Sequence, residues 1–182
     1  MKILRVLAVL LLISLAPTVK ATAPTAAAMP VASVAAPPAF DDFPATTSKR
    51  PRATDGAVKL HLTTAFTKRF TTVLHEEFQQ PANFAGHYRV AIWGCGTDCR
   101  SFAILDKTTG TAYTLEHVEL IAGVMGNDDE RIDFRRDSRL LVIAGEFDDD
   151  DARRGKFYYL WTGQRLEQIY SSALAVEKID TH

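Results

Sequence analysis

Cysteine and net charge are both scarce in this chain. Two cysteines among 182 residues are too few for a disulfide-rich mini-scaffold. The formal net charge is only −1, which argues against electrostatic binding of the whole protein to nucleic acid. No G-x-S-x-G turn, glycine-rich phosphate loop or H-E-x-x-H pair occurs, so the sequence offers no standard hydrolase, nucleotide or zinc-protease motif. The apolar run at residues 6–16 is well short of the roughly 20 residues that span a bilayer.

The first 21 residues instead have the three parts of a secretory signal peptide. Lys2 and Arg5 precede the apolar run, and a short polar end with small residues leads to Ala21. We expect cleavage after Ala21, which makes the protein periplasmic or secreted and leaves no transmembrane anchor. An uncleaved N-terminal anchor is the alternative. Removing this segment takes the net charge from −1 to −4, because it carries three basic residues.

Residues 22–57 have the composition of a linker. All but one of the eight prolines lie between Pro17 and Pro51, and alanine, threonine and serine fill most of the remaining positions. Proline disrupts both helices and sheets, and such a composition buries too little apolar area to offset chain entropy. We therefore predict a disordered Ala/Pro/Thr-rich linker. Phe40 and Phe43 either remain mobile or dock on the domain that follows.

Residues 58–179 form one predicted globular domain. Apolar side chains at four-residue spacing predict an amphipathic helix over residues 63–79: Leu62, Phe66, Phe70, Leu74 and Phe78. From residue 88 onward the period changes to two, which predicts short strands near 88–92, 102–104, 111–115, 139–144, 156–161 and 166–170. This pattern indicates a mainly β, α+β fold: an antiparallel meander with one N-terminal helix. The recurrence of hairpin plus strand is also compatible with two small propeller-like sheets.

Cys95 and Cys99 enclose the turn of the first hairpin. Export to an oxidising compartment favours a disulfide between them. If the two cysteines face each other, Trp93 faces Ser101 and lies on the same side of the hairpin as the sulfurs. The closed loop of five residues stabilises the fold by about 2 kcal/mol. A redox-active pair, a zinc site completed by histidines and a nucleophilic cysteine are the competing interpretations.

Three segments carry a family resemblance: Asn-Phe-Ala-Gly-His-Tyr at 83–88, Trp-Gly-Cys-Gly-Thr-Asp-Cys at 93–99 and Asp-Lys-Thr-Thr-Gly at 106–110. The chain resembles small exported bacterial proteins with an N-F-A-G-x-Y and W-G-C-G-x-x-C motif. This resemblance implies export and does not imply a particular activity. A much weaker similarity links Ala-Gly-His-Tyr at 85–88 to the Ser-Gly-x-Tyr loop of periplasmic lysozyme inhibitors. That resemblance implies inhibition of a lysozyme, although the serine of the loop is missing here.

The sequence points to one candidate binding patch and no catalytic residues. The patch lies at the start of the first hairpin strand and around its turn: Asn83, Gly86, His87, Trp93 and Arg100. Exposed tryptophan and arginine are typical of recognition surfaces. We therefore expect a non-catalytic binding or inhibitor-like module without metal or cofactor. Its candidate partners are an envelope protein or a peptidoglycan-related ligand.

The alternative function is a small hydrolase that acts on cell-envelope polymers. In that case carboxylates from the acidic stretches at 128–130 and 148–151 would converge on one cleft. A solvated loop is the simpler interpretation of each stretch.

Overall fold

The structure is a computed structural model that describes residues 36–45, 58–123 and 131–174. The predicted signal peptide, most of the predicted linker and the acidic residues at 128–130 lie outside the described residues. In the part of the chain that is described, no helix is long and apolar enough to cross a bilayer.

Two short helices precede the strands. The elements are α1 (Ala65–Arg69), α2 (Thr71–Gln79), β1 (Tyr88–Gly96), β2 (Cys99–Asp106), β3 (Ala112–Tyr113), β4 (Ile121–Ala122), β5 (Ile132–Phe134), β6 (Leu140–Phe147), β7 (Arg154–Trp161) and β8 (Leu166–Ser172). Two 3₁₀ turns, Phe40–Asp42 and Asp151–Arg153, complete the regular structure of the described residues.

All eight strands belong to one antiparallel sheet, in the order β1-β2-β4-β6-β7-β8. Strand β3 pairs with one end of β2, and β5 pairs with the middle of β6. The two-residue strand β4 joins the two hairpins, because it pairs with Cys99 and Arg100 on one side and with Glu146 and Phe147 on the other. The mainly β, α+β prediction is confirmed, whereas the alternative of two propeller-like sheets is wrong.

The largest core lies between the two hairpins. Side chains that alternate along β1 and β2 meet side chains from β6 and β7, so the two ends of the sheet pack against each other. The Tyr88 ring, for example, meets the Trp161 ring edge-on with centroids 5.2 Å apart. The face of each hairpin that points away from this core also carries apolar side chains, and other segments shield them from water.

The helices cover the outer face of β1 and β2. Leu74 and Phe78 are buried against Ala91, Trp93 and other residues of these strands. The helix predicted over 63–79 is interrupted at Phe70, whose φ of −108° and ψ of 29° end α1 and start α2. The break lets both Phe66 and Phe70 reach the Trp93 ring, at centroid distances of 6.0 and 4.8 Å.

A segment of the predicted linker covers the outer face of β6–β8. We call residues 36–45 the strap. Phe40 and Phe43 pack against Leu140, Val142 and Tyr158. The strap also forms backbone hydrogen bonds with the chain just before β6. The folded unit therefore begins upstream of Val58, the predicted start of the domain.

Candidate functional site

The cysteine turn contains the expected disulfide in a different register. Cys95 and Cys99 are bonded, with Cα atoms 5.3 Å apart. Trp93 pairs with Ser101 as predicted, but Cys99 pairs with Gly96 rather than with Cys95. Cys95 is therefore the extra residue of a β-bulge, and the prediction that the two cysteines are directly opposed is wrong. The bulge leaves Cys95 exposed at the tip of the hairpin.

Trp93 does not belong to an exposed surface. Only 8% of the residue is accessible, and its ring packs under α1 and α2. The hypothesis that Trp93 is an exposed binding contact is wrong, because alternation along β1 puts Trp93 with Ala91 on the face that the helices cover. The Trp93 side chain packs the two helices against the hairpin.

Asn83 and Gly86 build the turn that leads into β1. The Asn83 side chain accepts a hydrogen bond from the Val90 amide and donates one to the Val90 carbonyl, at 2.8 and 3.2 Å. Gly86 has a φ of 86°, a conformation that favours glycine, and its amide donates to the Arg136 carbonyl at 2.7 Å. Both residues thus serve to connect the helices to the sheet.

His87 and Arg100 lie at opposite ends of the hairpin. His87 Nε2 lies 3.6 Å from Asp106 Oδ1, and the histidine ring packs against the Tyr88 ring at a tilt of 33°. Arg100 is exposed and donates to the Cys99 carbonyl. About seven strand residues, roughly 20 Å, separate the two positions. The structure therefore does not unite the five predicted binding residues in one patch.

Asp106 is the buried member of the His87 pair. Only 7% of its side chain is accessible. Burial raises the pKa of this carboxyl, but hydrogen bonds from Thr108 and Thr109 outweigh that effect, and the pKa lies below its ordinary value. Asp106 Oδ1 accepts the Thr108 amide, the Thr108 hydroxyl and the Thr109 amide at 2.7, 2.7 and 3.2 Å. These contacts make Asp106 a structural carboxylate of the turn after β2.

An open cleft of about 450 Å³ lies beside the disulfide. It is bounded by the cysteine turn, the residues around β4, the end of β6 and the β6–β7 turn. Its lining residues are Cys95, Asp98, Cys99, Leu120, Ala122, Gly123, Glu146 and Asp149. Three of these described lining residues carry carboxylates, and Arg131 and Arg154 lie beside two of them, Asp98 and Glu146. Concave sites with a few convergent polar groups are the usual places for ligand binding.

Glu146 and Asp98 are the more enclosed carboxylates of the cleft. Asp98 Oδ1 accepts a hydrogen bond from Arg131 at 2.6 Å. The Glu146 side chain is 15% accessible and lies 3.9 Å from Arg154. Burial raises the pKa of Glu146, the charge of Asp151 and a hydrogen bond with it raise the pKa further, and Arg154 opposes the shift. A carboxyl with a raised pKa in a cleft is a common feature of functional sites.

Asp149 reaches the cleft from the turn between β6 and β7. Asp148 and Asp149 both have left-handed backbone conformations, with φ of 56° and 57°, and the Asp150 amide donates to the Phe147 carbonyl. Residues 147–150 therefore form a β-turn, and the 3₁₀ turn Asp151–Arg153 completes the connection to β7. Asp148 stabilises the β-turn, since its Oδ1 accepts the Glu119 and Leu120 amides at 2.8 and 3.1 Å. Asp149 itself is exposed.

The aspartates of the acidic stretch at 148–151 thus have different contacts and different roles. Asp148 is structural, Asp149 lines the cleft, and Asp151 contacts Glu146. The predicted convergence of residues 128–130 with 148–151 stays a prediction, because 128–130 lie outside the described residues. The cleft instead brings Asp149 together with Glu146 and Asp98, which belong to neither stretch. Within the described ranges no group of three His, Cys, Asp or Glu residues is arranged to hold a metal ion. Sequence reasoning missed Glu146, although a charged residue that follows the apolar strand residues 140–144 was a usable signal.

No protein-family model matches this chain, and no curated protein or solved structure shows significant similarity to it.

Proposed function

We propose that the protein is an exported, non-catalytic binding module, and that the cleft beside the disulfide binds a cationic group of its ligand. The observation that carries this proposal is the described lining of the cleft, which holds three carboxylates. Asp98 and Glu146 have arginine neighbours, so the exposed Asp149 is the carboxylate most available to a cationic ligand. An acidic concavity concentrates field lines and attracts positive charge. The proposal moves the binding surface from Trp93, which is buried, to the other side of the cysteine turn.

Three contacts support a rigid cleft. The Cys95–Cys99 disulfide closes the turn, the Asp98–Arg131 ion pair joins that turn to the chain before β5, and Asp148 joins the β6–β7 turn to residues 119 and 120. A site that is ordered before binding loses less conformational entropy when the ligand arrives. The arrangement therefore suits recognition by a preformed surface.

The chemistry of the lining favours an amine or a guanidinium over a neutral sugar. None of the described lining residues is aromatic, whereas sugar rings are commonly bound by stacking on aromatic side chains. Both candidate partner classes can supply a cation. An envelope protein offers lysine or arginine side chains, and a peptidoglycan-related ligand offers the free amines of its peptide stems.

Calorimetric titration with tri-lysine amide tests the proposal. We expect saturable binding that weakens when sodium chloride is raised from 0.05 to 0.5 M, because salt screens exposed charges. Asp149→Asn should weaken binding by roughly fivefold, since it removes one exposed carboxylate. Asparagine tolerates the left-handed turn, so the hairpin is preserved. Asp133→Asn is the matched control: Asp133 is exposed on β5 and does not line the cleft. Equal losses in both variants, or no binding, would contradict the proposal.

The second candidate function is hydrolysis of cell-envelope polymers. Its specific support is the pairing of a carboxyl of raised pKa, Glu146, with the exposed carboxylate of Asp149 at the same cleft. Such a pair can serve as proton donor and as base or nucleophile. Release of reducing ends or soluble fragments from purified peptidoglycan, abolished by Glu146→Gln, would favour the hydrolase. Binding of tri-lysine without turnover would favour the module.

A further inference from the structure

The strap is bound through its backbone. The single proton of the Ser138 hydroxyl is shared between the carbonyls of Phe40 and Phe43, at 2.7 and 3.0 Å from the oxygen. The Arg139 amide donates to the Phe43 carbonyl at 2.8 Å, and the Ala45 amide donates to the Asp137 carbonyl at 2.6 Å. These bonds involve groups that every peptide carries. They therefore fix the path of the strap without selecting its sequence.

Two aromatic side chains supply the sequence selection. Phe40 and Phe43 pack on the apolar face made by Leu140, Val142 and Tyr158. The Arg135 guanidinium lies over the Phe40 ring, 4.5 Å from its centroid. Asp41, between the two anchors, has 95% of its side chain accessible and lies 3.8 Å from Arg135 Nη1, an exposed ion pair that contributes little to stability. Recognition thus depends on two phenylalanines three residues apart and tolerates changes between them.

Proline fits the position that follows the second anchor. The Pro44 carbonyl accepts a hydrogen bond from Arg139 Nε at 3.3 Å, and Pro44 forms an antiparallel bridge with Ser138. Proline has no amide proton that would remain unpaired in this bridge. The combination of a buried hydroxyl, two aromatic anchors and a proline is the chemistry of a short-peptide recognition site.

We propose that the outer face of β6–β8 is a peptide-binding site for segments of another protein with the pattern Phe-x-x-Phe-Pro, and that the strap occupies this site in cis. The face is separate from the acidic cleft, which lies at the other end of β6. The strap connects to the domain through residues 46–57, and a linker of this length holds it at an effective concentration on the order of millimolar. A partner segment therefore binds only when it outcompetes or displaces the strap.

Fluorescence anisotropy with a labelled peptide of residues 36–45 tests the proposal on the full chain. In a Phe40→Ala/Phe43→Ala chain the strap loses its anchors, and we expect the added peptide to bind saturably. The wild-type chain should bind this peptide roughly 100-fold more weakly, because its own strap competes. Adding Ser138→Ala to the double variant should weaken peptide binding by roughly fivefold, since the buried hydroxyl no longer donates.

Two peptide variants test whether recognition follows the observed contacts. An Asp41→Ala peptide should bind within about twofold of the parent, because Asp41 is exposed, whereas a Phe40→Ala/Phe43→Ala peptide should lose at least tenfold in affinity. Equal binding of the parent and the doubly substituted peptide would overturn the proposal. So would the absence of peptide binding to a double variant whose circular dichroism matches the wild type.

A second form of the protein covers the case in which the double variant does not fold. A site for a sequence-specific protease, inserted between Ser48 and Lys49, releases the strap from the otherwise unchanged domain. Co-elution of the two fragments, or replacement of the strap fragment by the labelled peptide, supports the proposal. Separation of the fragments without peptide binding overturns it. Light scattering on the uncut chain that showed dimers, abolished by the Phe40→Ala/Phe43→Ala substitutions, would assign the face to a second copy and would also overturn it.

Discussion

Replacing Trp93 with alanine should destabilise the domain strongly and leave the cleft chemistry intact. Trp93 is only 8% accessible, and buried aromatic side chains remove about 150–250 Å² from water. At about 25 cal/mol per Å² this corresponds to about 4–6 kcal/mol, an upper value because the unfolded chain is already partly compact. Measured large-to-small core substitutions of this kind cost about 3–5 kcal/mol. We therefore expect a loss of about 4 kcal/mol in the free energy of unfolding.

Urea denaturation followed by circular dichroism at 25 °C measures this loss. Trp93→Phe should cost less than half as much, since it keeps an aromatic ring between Phe66 and Phe70. Ile169→Ala is the control, because Ile169 is 39% accessible on β8, and its cost should stay below about 1 kcal/mol. A Trp93→Ala chain that lost less than 1 kcal/mol would refute the assignment of Trp93 to the core. It would restore the hypothesis of a surface contact.

Three further predictions concern groups around the cleft and the hairpin. Glu146→Gln should raise the melting temperature at pH 7. The pKa of Glu146 is raised in the folded state, so ionisation of this carboxyl at pH 7 destabilises the fold, and glutamine stays neutral. Differential scanning calorimetry should show this gain vanish below pH 4.5, the ordinary pKa, where the carboxyl is protonated in both states. Asp106→Asn should cost about 2 kcal/mol at pH 7. Its pKa is lowered, so urea titrations should show the difference shrink as the pH falls below 3.8, and a constant difference would refute the account. The Cys95→Ser/Cys99→Ser chain should lose about 2 kcal/mol in the same titrations, and no loss would contradict the disulfide as a stabilising link.

Local periodicity predicted the parts of the fold that depend on near neighbours in the chain. The period of two from residue 88 onward predicts the strands of the first hairpin, and in the structure it separates Tyr88 and Val90 from Ala91 and Trp93 on opposite faces of β1. The pairing of Trp93 with Ser101 also follows from the position of the turn. The bulge at Cys95 could not be inferred, because a turn of two residues with a bulge and a turn of three residues use the same sequence positions.

Long-range packing decided the features that the sequence did not reveal. Strand β4 has only two residues, too few for any periodic signal, yet it merges the hairpins into one sheet. The break at Phe70 reflects packing on Trp93, a contact between residues far apart in the chain. The cleft likewise combines residues from four segments, so Glu146 and Asp149 are functional candidates only once β6 and the cysteine turn are seen side by side.

The composition of the strap predicts a linker, although the strap is ordered in the structure. Its prolines and alanines are typical of disordered segments, and the two phenylalanines carry no period. Its order comes from a serine almost a hundred residues later in the chain, which binds the backbone of the strap. Composition describes what a segment can form alone, and the strap is ordered by a surface formed elsewhere.

Chemical-shift mapping by NMR is the most direct test of the claim that the acidic cleft is the binding site. Tri-lysine amide added to ¹⁵N-labelled protein should shift the amide signals of Cys99, Ala122 and Gly123, which line the cleft, together with that of Asp149. Signals of the strap and of α2 should stay in place. Shifts confined to other surfaces, or no shifts at millimolar tri-lysine, would contradict the account.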